Sequence, residues 1–275
     1  VYKLASLTSD LDGAPELVQQ GANANEMIIP KMDMSGLANY SRNSGYVTGD
    51  VTMVNETVAC NFDRGRMFNI DTMDNLETAG LAFGRLAGEF IRTKVTPELD
   101  AFRISMYAQV SGISTVAGAA LTTGAAVLAA LRAATDKMDA DEVPYENRIL
   151  YIEGSLMGLI EDLDTTKSKA VIARFAKVVR MPQTRLYTKI TQKDGTTSGQ
   201  EAGGYIKDAT DGKNINFIVV QKDAVIQFQK HVAPKIVDPE HNQDADGWKF
   251  GYRNVGIADA YENKVAGIYL HKSTT

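Results

Sequence analysis

The chain has 275 residues, enough for one large or two moderate domains with a real hydrophobic core. With 44% hydrophobic and 23% charged residues it sits near the globular average, which argues against wholesale disorder and against a disulfide scaffold. The formal charge of -5 argues against a dedicated nucleic-acid reader, whose binding face needs a Lys/Arg excess, while leaving room for a protein that merely encloses nucleic acid.

The chain opens at Val1 without a charged segment leading into an apolar one, which reads as a processed or truncated start with no targeting signal. Residues 1–25 have weak periodicity and many turn formers (Asp12-Gly13, Gly21, Asn23, Asn25), the pattern of an extended arm. Residues 26–62 read as a long hairpin. Met27, Ile28, Ile29, Met32 and Met34 mark its ascending half, Asn43-Ser44-Gly45 and Gly49-Asp50 its tip, and Thr52, Val54, Glu56, Val58, Cys60 and Phe62 its alternating descent. A two-stranded ribbon is marginal in water unless something covers it, so arm and ribbon need surfaces from elsewhere, first of all from another copy of the chain. Cys60 is the only cysteine, which fits a reducing compartment, and its place in the alternation predicts a small buried apolar residue.

A long helix is predicted over residues 69–95, capped by Asp71 or Asp74, with Met73, Leu76, Phe83, Leu86, Phe90, Ile91 and Val95 at three-or-four spacing. Gly80, Gly84 and Gly88 make a ridge on it, which fits either a close-passing backbone from another subunit or glycines tolerated inside one subunit. Arg85, Glu89 and Arg92 are spaced for ion pairs along the helix or across a subunit boundary. Thr96-Pro97-Glu98 is expected to end this helix and start another through Arg103 and Tyr107. The uncharged run from Ile104 to Leu131 carries, after Arg103, too much Gly, Ser, Thr and Ala to favour a bilayer; it is predicted to split into a helix end, a glycine-rich connection and a helix over 124–138 capped by Thr122 or Thr123. Beyond it, strands are predicted at 148–153, 185–190, 215–221, 231–237, 248–254 and 264–271. Helices are expected at 155–163 and near 223–229, with a mobile exposed loop over 191–213. The mixture is α+β.

Chemistry is sparse. There is no phosphate loop, nucleophile elbow or H-E-x-x-H helix, and His231, His241 and His271 match no zinc spacing. Asn242, Asp244, Asp246 and Gly247 repeat the start of a calcium loop, but Arg253 stands where its bidentate Glu belongs. The carboxylates at Glu161-Asp162 and 139–142 lie in wet contexts unsuited to a raised acid. No catalytic, cofactor or metal residue is assigned, and the chain is not expected to be an enzyme.

Several short phrases, in this order, resemble the major capsid protein of tailed bacteriophages, the Hong Kong 97 type of fold. They are Asn39-Tyr40-Ser41-Arg42-Asn43, Gly45-Tyr46-Val47, Asp63-Arg64-Gly65-Arg66 with Phe68 and Ile70-Asp71, and Pro97-Glu98-Leu99-Asp100-Ala101-Phe102-Arg103. Asn216-Phe217-Ile218-Val219-Val220 and residues 244–253 follow. The resemblance covers nearly the whole chain and rests on order rather than on any single phrase. It implies an N-terminal arm (1–25), an extended loop hairpin (26–62), a peripheral domain with a spine helix (63–111 and 224–250), and an axial domain with a central mixed sheet flanked by helices (112–223 and 251–275). It further implies a virion shell subunit, assembled in the host cytoplasm through pentamers and hexamers around double-stranded DNA. Portal, scaffolding or decoration proteins are further implied partners, and no membrane is involved. The expected inter-subunit contacts are Met27, Ile29, Met32, Tyr40, Arg42, Tyr46, Val54, Phe62, Arg64, Arg66, Arg85, Glu89 and Arg92. Two rivals stand beside this reading: an encapsulin-type protein compartment and a calcium-assisted hydrolase using Asp244 and Asp246.

Overall fold

The computed structural model of the chain describes residues 5–13, 19–20, 26–73, 81–163 and 165–274. Strands β1 (Gln19–Gln20), β2 (Glu26–Met34) and β3 (Val51–Ala59) form one antiparallel sheet in chain order, and β4 (Phe62–Asp71) leaves it to join another. Helices α1 (Leu81–Phe90) and α2 (Thr96–Gln109) follow, joined by a π turn at Ile91–Val95. Next come β5 (Ser114–Val116), α3 (Gly124–Ala140), β6 (Arg148–Glu153), α4 (Gly154–Glu161), α5 (Thr166–Ile172) and β7 (Lys177–Met181). A short hairpin, β8 (Ile190–Gln192) and β9 (Tyr205–Lys207), precedes β10 (Ile215–Gln221), β11 (Val225–Val237), β12 (Gly247–Ala260) and β13 (Ile268–Lys272).

The main core surrounds a mixed sheet ordered β5-β13-β10-β6-β7. Strand side chains alternate between faces, so each central strand feeds two apolar layers. Ile149 and Tyr151 of β6, Ile218 and Val220 of β10, and Ile268 and Leu270 of β13 pack with Ile104 and Tyr107 of α2. Leu150, Ile152, Phe217, Val219 and Tyr269 point the other way, onto Val127 and Leu131 of α3 and Leu156 and Ile160 of α4. Helices on both faces explain why β6 and β10 read as unbroken apolar runs. A second sheet, β11-β12-β4, is antiparallel and long, with β12 pairing β4 from Gly247↔Asp71 to Gly256↔Phe62. Phe90 at the end of α1 rests on it, its ring 4.8 Å from Phe68 and 6.1 Å from Tyr252.

Several expectations need correction. The helix predicted from residue 69 begins later, because residues 69–71 complete β4 against Gly247–Lys249, and sheet pairing prevails over helical spacing there. Asp71 still caps the turn that follows, its Oδ1 accepting from the Met73 N–H at 2.9 Å. The second candidate cap, Asp74, together with Leu76 and Gly80, lies outside the described residues. Pro97 does not break the rod. The backbone stays right-handed helical at Phe90, Val95 and Thr96, and the wider π turn carries the helix into α2 with Pro97 in its first turn, where no N–H is required. Residues 183–185 form a 3-10 turn rather than the start of a strand, and 223–229 belong mainly to β11. Residues 262–267 form a 3-10 helix before β13. Helix α5 and strand β7 were not anticipated. The cap of α3 is the expected one, Thr123 accepting from Ala126 N–H at 3.3 Å. Among the described residues no helix is long and apolar enough to cross a membrane.

The described part of the arm is also a correction. Residues 5–13 are built into the chain's own core, with Thr8 and Leu11 fully buried. Asp100 on α2, itself fully buried, accepts from Ser6 Oγ (2.9 Å), Leu7 N–H (2.9 Å), Thr8 Oγ1 (2.7 Å) and Arg185 Nη1 (2.7 Å). Arg103 donates to Thr8 Oγ1 and Asp12, and Gln227 ties the Thr8 carbonyl and Asp12 to the Tyr107 hydroxyl. A buried carboxylate is tolerable only when paired and hydrogen-bonded, and Asp100 meets both conditions, paired with Arg185 and hydrogen-bonded by the amino-terminal segment.

Candidate assembly surface and an aromatic cavity

Opposite residues of an antiparallel pair share a face, and so do residues two apart along a strand. The pairings Met32↔Met53 and Met34↔Val51 therefore place four apolar side chains on one face of the ribbon. All four are exposed, Met34 at 63% and Met53 at 66% of their full surface. At the tip, Ser41 and Gly45 close a turn that requires a left-handed residue, met by Gly45 at φ 75°. That turn brings Tyr40 and Tyr46 edge to face at 4.9 Å, with Tyr46 88% exposed, and Leu37 and Val47 beside them in open solvent. Only the base of the ribbon is covered by its own chain, where Val58 and the partly buried Cys60 pack on Ile226 and Ile257. Burial pushes the Cys60 thiol up, away from a reactive thiolate.

The expected contact residues thus divide. Met32, Tyr40, Arg42, Tyr46 and Val54 lie together on the exposed part of the ribbon. Met27 and Ile29 belong to β2, but their side chains lie outside the described set. Phe62 does not sit on the ribbon: it opens β4 and is 3% exposed in the chain's own core, its ring 5.0 Å from Phe102. The strand had to end at Ala59 so that β4 could reach β12, and the alternation through Cys60 hid that break. Arg85 is exposed on α1, and Glu89 pairs with Arg92 along the helix at 2.8 Å. A side chain at Gly88 would meet open space, with no backbone of the described residues passing there. Met34, Leu37, Val47, Val51 and Met53 were not among the contacts expected from sequence, although counting strand register from the tip turn would have put Met34, Val51 and Met53 on the face of Met32.

Arg64, half-buried, and Arg66, exposed, face the glycine-rich loop between β8 and β9 instead. Their register on β4 puts them on one face with Phe62, Phe68, Tyr252 and Asn254 of the paired strands. Arg64 binds Glu98 at 2.8 Å and the Lys193 carbonyl at 2.7 Å, while Arg66 donates to the Glu201 carbonyl at 2.9 Å. The glycine-rich loop between β8 and β9 is thereby held against β4. Gly203 must be glycine there: its φ is 66°, and a Cβ would come within 2.9 Å of the Arg66 guanidinium. Floor, helix and loop enclose a cavity of about 470 Å³. Burial raises the Glu98 carboxyl above its usual range against the opposing pull of Arg64.

The acidic turn proposed for calcium is used otherwise. Lys249 binds Asp244 and holds its carboxyl below the usual range, Asp246 accepts from Thr72 Oγ1 at 2.9 Å, and the Asn242 amide donates to the Gly247 carbonyl at 2.8 Å. The two aspartates face different partners, and among the described residues no cluster of three acidic, histidine or cysteine ligands forms.

No protein-family model and no curated protein matches this chain. Solved structures do. A chain from the capsid structure of the cyanophage P-SCSP1u superposes with a TM-score of 0.62 at 12% identity, covering 100% of this chain and 90% of that one. A chain of Gordonia phage Cozz gives 0.63 at 12% identity, covering 100% and 89%. A virus-like particle from Pyrococcus furiosus gives 0.56 at 10% identity, covering 96% and 97%. At such identities the likeness speaks to architecture, and in architecture this chain, a mixed α/β protein of several sheets and few helices, has the fold of tailed-phage major capsid proteins.

Proposed function

We propose that the chain is a capsid subunit, a structural protein and not an enzyme, that closes an icosahedral shell of pentamers and hexamers around double-stranded DNA. The observation that supports this reading is the ribbon face of Met32, Met34, Val51 and Met53, each more than half exposed. Burying such side chains on a neighbour contributes about 25 cal/mol per Å² of apolar surface, and a contact repeated around symmetry axes closes a shell that a single one would not hold. On this reading the sheet β11-β12-β4 with the α1–α2 rod forms the peripheral part, and the sheet β5-β13-β10-β6-β7 with α3 to α5 forms the axial part. On the same reading the whole of β12, residues 247–260, belongs with the peripheral sheet. On this reading portal, scaffolding and decoration proteins are the further partners of a virion shell.

Electron microscopy of the expressed chain is the direct test: uniform icosahedral particles are expected, and a monodisperse species near 30 kDa would remove the reading. Removing residues 31–57 should leave soluble protein without closed particles. Particles that contain nuclease-protected DNA support a genome shell, and particles with protein cargo and no nucleic acid would transfer the chain to compartment shells.

A further inference from the structure

The cavity between β4, the α1–α2 rod and the glycine-rich loop combines features that assembly does not require. Its volume lies within the roughly 300–1,000 Å³ of small-molecule sites. Phe90 and Tyr252 supply aromatic walls. Asn254 lines it at 1% exposure, and neither its amide nitrogen nor its carbonyl oxygen completes a hydrogen bond, although the Tyr252 hydroxyl lies near enough to interact with it. A buried primary amide left in that state costs free energy unless something brings both an acceptor and a donor to it.

Charge at the mouth is unevenly spent. Arg92 neutralises Glu89, Arg64 takes Glu98, and Asp194 turns its carboxylate onto Thr196 and Thr197 of its own turn. Lys94 and Lys193 also line the cavity and form no ion pair among the described residues, and Arg66 meets only carbonyl groups. The occupant thus needs a flat aromatic body, an edge that both donates and accepts, and an anionic end.

We infer that this cavity is a binding site for a nucleoside phosphate, with the base packed against the aromatic wall of Phe90 and Tyr252, its hydrogen-bonding edge on Asn254, and the phosphate on Arg66, Lys94 and Lys193. An Asn amide matches the donor–acceptor edge of adenine, and aromatic walls with nearby cations are the usual cradle of an unpaired nucleotide. The same chemistry comes from a free mononucleotide or from a nucleotide in a single strand.

Calorimetric titration of the full chain, in whatever assembled form it purifies, tests this with adenosine 5′-monophosphate, adenosine, ribose 5-phosphate and a short single-stranded deoxyadenosine oligonucleotide. Saturable binding of the monophosphate is expected, with adenosine and ribose 5-phosphate each at least about fivefold weaker, as when one good contact is lost. Asn254→Ala, which removes a buried polar group and so should fold, is expected to weaken binding by about fivefold or more. Lys94→Ala with Lys193→Ala should flatten its salt dependence. Tighter binding of the oligonucleotide assigns the site to single strands, and binding of the mononucleotide alone assigns it to a free metabolite; either supports the site. No saturable binding of either ligand at millimolar concentration, or affinities unchanged in both variants, overturns it. Particle formation is read separately, so the binding site and the shell stand or fall independently.

Discussion

Asp100 shows how much can hang on one side chain. It is fully buried, and its oxygens bind Arg185 and three consecutive residues of the amino-terminal segment. Replacing it with Ala leaves Arg185 buried at 2% exposure without its carboxylate, a change expected to cost about 3–5 kcal/mol in chemical unfolding and to release residues 5–13 to early proteolysis. His271 carries a pH dependence. Its ring stacks on Phe217 at 4.9 Å, its Nδ1 accepts from the Asn216 amide at 3.1 Å, and burial lowers its pKa. The unfolded chain takes up the proton near pH ~6.5 while the folded one resists it, so stability is whole above that pH and falls as pH drops towards the lower folded value. His271→Gln should reduce the loss of stability measured between pH 7.5 and pH 5.

At the scale of elements, close approach sets the constraint between α3 and α4. A Cβ on Gly124 would stand 2.2 Å from the Leu159 carbonyl oxygen and 2.9 Å from the Leu163 side chain. Gly124→Ala is therefore expected to lower stability by about 1–3 kcal/mol, despite the gain in helix propensity, by forcing the two helices apart. Thermal melts of the variant check the sign, since propensity alone would raise the midpoint. The rod of α1, π turn and α2 shows a second case, in which Thr96 Oγ1 donates to the Ile91 carbonyl at 3.1 Å and helps satisfy the widened turn ahead of Pro97.

For the whole molecule, the ribbon and the double-layered core do separate work. Met53→Asp on the exposed face should leave the monomer's unfolding midpoint unchanged, because Met53 is exposed there, while particles fail to form in micrographs. A melt shifted by the same substitution would mean that the ribbon is covered within its own chain. Residues 5–13 go the other way, joining α2, Gln227 of β11 and Arg185 through one buried network.

The apolar runs at 148–153 and 215–221 were legible as strands because both faces of each are buried, and the Thr123 cap was legible because capping is local. The ribbon itself was legible from its local alternation, whereas the third strand β1 and the cover at its base by Ile226 and Ile257 were not. What the linear order concealed was long-range pairing. Residues 69–71 have helical spacing but are claimed by β12 nearly two hundred positions away, and residues 225–229 become strand because β12 runs on to Ala260 to meet them. Nothing local to Asp100, Arg103 or Arg185 marks them as buried until the fold brings the amino-terminal segment to them. Periodicity and caps depend on neighbours a few residues apart and are written in the sequence, whereas register, buried charge and enclosed space arise only when distant segments meet.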